Sequence, residues 1–297
     1  MVTSYAQLFL SPLVALVMGV ILMGLMRVLI ARIHWRYGPP ILQPVIDIIR
    51  LFSQKSASHG AMFDFGLVLS LAGSLAVILF MPLGTWCPLG QSGGLLVILY
   101  LMLLMPFGTA LSGGAGANPN ISIGISRKLI LSLAYEIPFL LIVLAVMHRY
   151  GSISLIEITH SQQDSGWAMF SWQLVLPGIA YILVLPAMLG VRPFDVAGAP
   201  QEISSGPMVE YGGKYLALEH IEHALSLTIG LALFVNLFLG GASNVGFLFL
   251  KMLAVFLVGF GVHAVFPRLR VEQAVGYLWK WPTGLALIGL IIVVLAK

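Results

Sequence analysis

Arg192-Pro-Phe-Asp-Val-Ala-Gly-Ala-Pro-Gln-Glu-Ile-Ser-Ser-Gly-Pro-Met-Val-Glu-Tyr-Gly-Gly-Lys-Tyr215 is the most polar sustained loop in an otherwise oily chain. Its three prolines and four glycines exclude a long helix. Arg192, Asp195, Glu202, Glu210 and Lys214 carry charges that lipid does not tolerate. The stretch therefore reads as a surface loop between two apolar segments, where a partner can reach it. Connectors this long are uncommon unless functional or disordered. Pro193-Phe194-Asp195, followed by Glu210-Tyr211-Gly212-Gly213, has none of the repetition of a low-complexity linker.

Outward from that loop the chain is 59% hydrophobic and 9% charged over 297 residues, which leaves no room for a separate soluble domain. Apolar stretches of membrane-spanning length fall near 5–31, 62–82, 94–113, 128–149, 172–191, 217–241, 245–266 and 274–296. The expected fold is an all-α integral membrane protein, a single membrane domain of eight transmembrane helices plus a short cytoplasmic amphipathic helix. Met1 to Leu10 lacks the basic start of a secretory signal, so the first stretch reads as a retained span.

Basic residues orient the chain, because cytoplasmic connections are enriched in Lys and Arg. Twelve of the fifteen lie in or beside alternate connections, with cytoplasmic loops at 32–61, 114–127, 192–216 and 267–273. Arg149 and Lys297 fall on the other side and Lys251 inside span seven. Both termini are then outside, in a multi-pass protein of the cell membrane. The excess of four positive charges is explained by this placement, with no nucleic acid needed. Cys87, the only cysteine, lies outside. One thiol builds neither a disulfide nor a usual iron–sulfur or zinc-thiolate site, so any redox centre belongs to a partner.

Between spans one and two, Gly38-Pro39 reads as a turn before a short helix with Pro44 in its first turn. Asp47 and Arg50 form a narrow polar stripe on it, as an interfacial anchor or a functional pair. Glu136 lies about 12 Å along span four from Lys128. It is either an ion-path group or a neutral, hydrogen-bonded structural one. Glu219, Glu222, His223 and Ser226 recur at three- and four-residue steps and share one face of span six. Spans six and seven are joined by a short turn, and counting from it brings His263 level with Glu222, where the two can meet. A metal on His220 and His223 would need ligands from other helices, so a proton path is the better reading. Lys251, near the outer surface, reads as snorkelling. No phosphate loop or nucleophile elbow is present.

Four motifs give a family resemblance over nearly the whole chain. Arg36-x-Gly38-Pro39 with Gln43-Pro44-x-x-Asp47-x-x-Arg50-Leu51 is the first, and Arg127 with Tyr135-Glu136 the second. Pro193-Phe194-Asp195 through Glu210-Tyr211-x-Gly213 is the third, and Phe266-Pro267-Arg268-x-Arg270 through Trp279-Lys280 the fourth. Together they resemble the subunit that joins the membrane and peripheral arms of respiratory complex I, and its homologues in energy-converting hydrogenases. Gly198 and Pro200 interrupt the acid-rich run that complex I tends to have after Pro-Phe-Asp, and Gly206-Pro207 looks more like the hydrogenase branch.

That resemblance implies an ion-coupling and docking subunit of a group 4 membrane-bound NiFe hydrogenase-type complex. Its partners would be cytoplasmic hydrogenase-like large and small subunits, iron–sulfur proteins and antiporter-like membrane subunits. Iron–sulfur clusters and a NiFe centre are expected on those partners, with no catalytic residue, metal or cofactor in this chain. Glu136, Glu202, Glu210, Glu219, Glu222, His223 and His263 are the expected proton or sodium path. Arg36, Asp47, Arg50, Arg127, Asp195, Arg268 and Arg270 are the expected docking residues. A quinone-reducing complex I subunit and an independent transporter are the alternatives. The purified single chain is expected to bind neither iron nor nickel, and a stoichiometric amount of either in elemental analysis would contradict this.

Overall fold

The computed structural model describes residues 2–90, 93–116 and 118–296, with side chains from Tyr5 onward. Met1, Gln91, Ser92, Ala117 and the expected outer residue Lys297 lie outside the described residues. Regular structure among the described residues is helical apart from one isolated bridge between Leu83 and Trp86. The long helices are α1 (Val2–Ile33), α3 (Ala61–Phe80), the pair α4 (Leu95–Met102) and α5 (Leu104–Gly114), and α6 (Pro119–Tyr150). Then follow α8 (Val175–Met188), α10 (Lys214–Phe238), α11 (Val245–Val265) and α12 (Val271–Leu295). Shorter elements are α2 (Gln43–Phe52), α7 (Leu155–Ser165) and α9 (Pro200–Ile203). Seven spans are long and apolar enough to cross a bilayer, and α8 is a shorter apolar helix. The protein is a multi-pass membrane protein.

Local chemistry explains where the helices depart from the expected spans. The third span bends at Leu103 because Pro106 has no N–H to offer the Met102 carbonyl. The fourth begins at Pro119, nine residues earlier than expected. The Asn118 side chain accepts from Asn120 N–H at 3.0 Å, and Pro119 suits the first helical position. Arg127 and Lys128 therefore ride on a helix, and the expected loop 114–127 shrinks to a short turn. Gly151, at φ +65°, ends that helix by returning its N–H to Met147 at 2.9 Å. Helix α8 has 14 residues, about 21 Å against a hydrocarbon core of about 30 Å. Pro177 sits in its first turn, and left-handed Gly190 stops its far end. Trp167, Phe170 and Trp172 are exposed just before it, as aromatic residues are at a membrane interface.

Helix α10 is the axis of the bundle, buried along most of its length against α1, α3, α8 and α11. Close approach needs missing side chains: a Cβ on Gly19 of α1 would meet the Ala224 carbonyl oxygen at 2.0 Å. Thr228 Oγ1 donates to the Ala15 carbonyl at 2.8 Å across the same contact. Helices α3 and α5 cross at Gly66 and Gly108, where a Cβ on either would strike the other's backbone within 2.6 Å. Ser70 Oγ donates to the Met105 carbonyl there at 3.0 Å. Small residues plus interhelical hydrogen bonds are how helices associate where lipid offers no hydrophobic drive.

Lys251 does not snorkel. Its ammonium caps the end of α10, donating to the carbonyls of Leu239 at 2.7 Å and Gly241 at 2.6 Å, and lies over the Trp167 ring. A cation satisfies the orphan carbonyls at a helix C-terminus. Gln162 of α7, the helix not foreseen, ties the same corner: its Nε2 donates to Leu237 O at 2.9 Å and Gly240 N–H donates to its Oε1 at 2.9 Å.

Alternate connections gather at opposite ends, as the basic-residue pattern requires. Gln7, Thr85, Cys87, His160 and Ser243 line one cavity of about 610 Å³ at one end. The Arg27–Asp47, Arg127–Glu202 and Arg268–Asp195 pairs mark the other, called here the loop end. Burial pushes the Cys87 thiol up to about 11, so the native cysteine is a slow reporter of topology. In a Cys87→Ser background, a cysteine at exposed Asp164 should react with an impermeant thiol reagent in intact cells, and one at exposed Lys55 only after the inner face is opened. The reverse pattern would contradict the orientation.

Candidate functional site

The polar loop is built, not merely solvated. Phe194, Val196, Ile203, Pro207 and Tyr211 are buried, and Phe194 lies 5.5 Å from the Tyr277 ring, centroid to centroid. The chain reverses through Ser204, Ser205 and Gly206, three consecutive left-handed residues at φ +51°, +76° and +56°. Two serines in that region carry local strain, held by surrounding contacts. Short α9 and a 3-10 turn at Gly206–Glu210 are the only helix between Arg192 and Gly213, as the prolines and glycines require.

Three ion pairs and two backbone contacts fasten the loop-end connections together. Arg27 reaches Asp47 Oδ2 at 3.0 Å, tying α1 to α2, while Arg50 stands 3.9 Å from the other oxygen. Burial alone would raise the Asp47 carboxyl, but hydrogen bonds from Gln43 and Arg27 outweigh it and hold it below the usual range. Arg127 meets Glu202 at 2.8 Å, and that bond lowers the Glu202 carboxyl. Arg268 meets Asp195 at 2.8 Å, and here burial prevails and pushes the carboxyl up. Leu269 N–H donates to the Pro193 carbonyl at 2.9 Å. Left-handed Gly213 lies against Gln54, where a Cβ would stand 2.9 Å from the Gln54 carbonyl oxygen.

Beneath this clamp lies a cavity of about 180 Å³ between α5, α6, α8, α10 and the loop. Glu219, Glu222, His223 and Ser226 all line it, so the helical spacing on span six found one real face. Glu219 and Glu222 are buried, each 7% exposed, and among the described residues no Arg or Lys nitrogen lies within 4 Å of either. His220 Nδ1 stands 3.9 Å from Glu219. Two carboxyl groups in such a place are able to exchange a proton or balance a cation, since one uncompensated charge is costly in a membrane interior. Among the described residues no three His, Cys, Asp or Glu side chains gather to hold a metal ion.

The other expected residues fall elsewhere. Glu136 is half-buried and outside the cavity lining, which its neighbour Tyr135 reaches. Glu202 is exposed in its pair with Arg127. Glu210 leaves one buried oxygen unpartnered, close to Gly116. His263 and Glu222 do not meet: no N···O approach within 4 Å joins them, and His263 Nδ1 instead accepts the Arg192 backbone N–H at 2.8 Å. The level was right but the azimuth was not, because α11 leans on α8 as well as on α10. Arg36 and Arg50 are exposed, and Arg270 starts α12, its N–H donating to Gln273 Oε1 at 3.1 Å. Two cavity groups went unsingled in the sequence, Lys128 and the Tyr211 hydroxyl. Lys128, Ser132 and Tyr135 recur at helical steps, a pattern that points to one face. Burial, against a pull from Ser112, pushes the Tyr211 phenol up to about 12.

The model of the NADH dehydrogenase family matches residues 6–294. The chain belongs to the NADH dehydrogenase family. Relatives within this family include hydrogenase-4 component C of Escherichia coli K12, 34% identical over 73% of this chain and 69% of that one. An NADH-quinone oxidoreductase membrane protein of Neisseria meningitidis serogroup C is 29% identical over 86% of this chain and 79% of its own. A chain of the archaeal membrane-bound sulfane sulfur reductase, a respiratory membrane complex, superposes with a TM-score of 0.95 at 38% identity. That match covers 98% of this chain and 99% of the other. As an NADH dehydrogenase family member, the protein is a membrane subunit of a complex I-like or hydrogenase-like respiratory complex.

The ion pairs should differ in weight. Asp195→Ala strands Arg268 in a partly buried site and should cost roughly 2–3 kcal/mol, somewhat under a fully buried pair. Glu202→Ala opens an exposed pair and should cost under about 1 kcal/mol. Thermal unfolding of the detergent-solubilised protein checks this, and equal shifts would contradict it.

Proposed function

We propose that this chain is the ion-coupling and docking subunit of a hydrogenase-branch respiratory complex, with electron transfer carried by partner subunits on its cytoplasmic face. The observation that carries the reading is the pairing of a clamped loop end with two buried carboxyl groups directly beneath it. Asp195, Glu202, Arg127, Arg268, Arg270, Asp47, Arg50 and Arg36 belong to the docking surface. Glu219, Glu222 and His223 begin the path for a proton or sodium ion, with Glu210 at its entrance from the loop. Glu136 and His263 lie beside that path and would serve it indirectly. Iron–sulfur clusters and a NiFe or related terminal centre belong on the peripheral subunits, and antiporter-like subunits beside the bundle would receive the ion.

The hydrogenase branch is favoured by the near end-to-end match to the sulfane sulfur reductase chain and by Gly206-Pro207 in the loop reversal. A cavity of about 180 Å³ is also under the roughly 300–1,000 Å³ of usual small-molecule sites, which argues against a quinone held by this chain alone. The quinone-reducing reading draws on the similarity to the NADH-quinone oxidoreductase protein, which extends over more of the chain than the hydrogenase-4 match.

Purifying the intact complex through a tag on this chain separates the two. The hydrogenase-branch reading expects an iron–sulfur-containing complex without quinone reductase activity, reducing protons or a sulfur acceptor. Quinone reduction sensitive to quinone analogues would contradict it. Migration of the chain alone, with no peripheral subunits, would contradict both.

A further inference from the structure

The acids at the loop end divide by what neutralises them. Asp47 is paired with Arg27, Asp195 with Arg268 and Glu202 with Arg127. Glu219 and Glu222 have no such partner among the described residues, although both are buried. The cation lining their cavity is Lys128, on the first turns of α6, and no carboxylate oxygen of the described residues lies within 4 Å of its ammonium. Asp195 lines the same cavity and keeps its contact with Arg268. Lys128 thus stands between a loop carboxylate and two helix carboxylates, held by none of them. Its long flexible stem lets a compact ammonium reach different partners, unlike the forked guanidinium of an arginine.

We propose that Lys128 is the mobile counter-charge of the cavity, a positioning residue whose ammonium compensates Glu219 and Glu222 when they are ionised. The inference rests on the coupling reading above and names the residue through which the loop acts on α10. When one of the two carboxyl groups takes up a proton, the remaining negative charge matches the single ammonium. When both are ionised, one negative charge is in excess, which favours rebinding a cation. A shift of Asp195 with its partner-facing loop changes the field at Lys128 and so changes which state is favoured. Interactions between charges in such a partly desolvated place are much stronger than in water.

The test uses the assembled complex in proteoliposomes, with Lys128→Met, Lys128→Arg and the charge-compensating double variant Lys128→Met/Glu219→Gln. Ion translocation per electron and redox turnover of the peripheral centre with artificial donors are both measured. Lys128→Met is expected to assemble, keep artificial-donor turnover and lose about tenfold in translocation, equivalent to about 1.4 kcal/mol. Lys128→Arg, which keeps the charge, should recover at least half, and the double variant should assemble no worse than the single one. Equal translocation in Lys128→Met and the parent overturns the proposal while leaving the coupling reading intact. A parent complex that moves no ion overturns both. If Lys128→Met fails to assemble while Lys128→Arg assembles and pumps, the charge serves folding and the proposal is overturned.

Discussion

Two carboxyl groups buried on one membrane helix constrain everything around them. Glu219 and Glu222 cannot face lipid, so α10 must be enclosed by other helices along its polar face. Enclosure in turn demands close approach, provided by Gly19 against Ala224 and by Gly66 against Gly108 in the α3–α5 pair that forms part of the wall. The helix ends must then be satisfied without water on every side, which explains Lys251 and Gln162 at one end. At the other end the polar loop closes the cavity, with Asp195 and Tyr211 in its wall. The loop can close it because it is pinned by Arg127, Arg268 and the Leu269–Pro193 backbone bond.

The consequence for function is a short physical route from docking surface to membrane interior. Asp195 belongs to both: its Oδ2 is held by Arg268 of the next connection, and it also lines the cavity containing Glu222. A partner that pulls on the loop therefore changes the electrostatics of the carboxyl pair directly. No long relay through packed side chains is needed.

Much of this was legible in the sequence because helical spacing and charge placement are local signals. Glu219, Glu222, His223 and Ser226 share a face by arithmetic, and the structure brings all four to one cavity. Alternating basic connections foretold that Cys87 and Arg192 lie at opposite ends. What escaped was set by tertiary azimuth and by residues disguised as ordinary. His263 was at the right depth, but the lean of α11 sends it to the Arg192 backbone. Lys128 looked like a loop charge because the Asn118-Pro119 helix start, and hence its place one face over from lipid, was not read. Lys251 looked like a snorkelling residue because the carbonyls it caps belong to another helix.

The most direct measurement is the ion-to-electron ratio of the reconstituted complex carrying Glu222→Gln. The amide preserves shape and hydrogen-bonding capacity but cannot exchange a proton or balance a cation. Coupling through the α10 carboxyl pair requires that the assembled variant keep artificial-donor turnover and lose most of its translocation. An assembled Glu222→Gln complex that pumps at the parent ratio would contradict it.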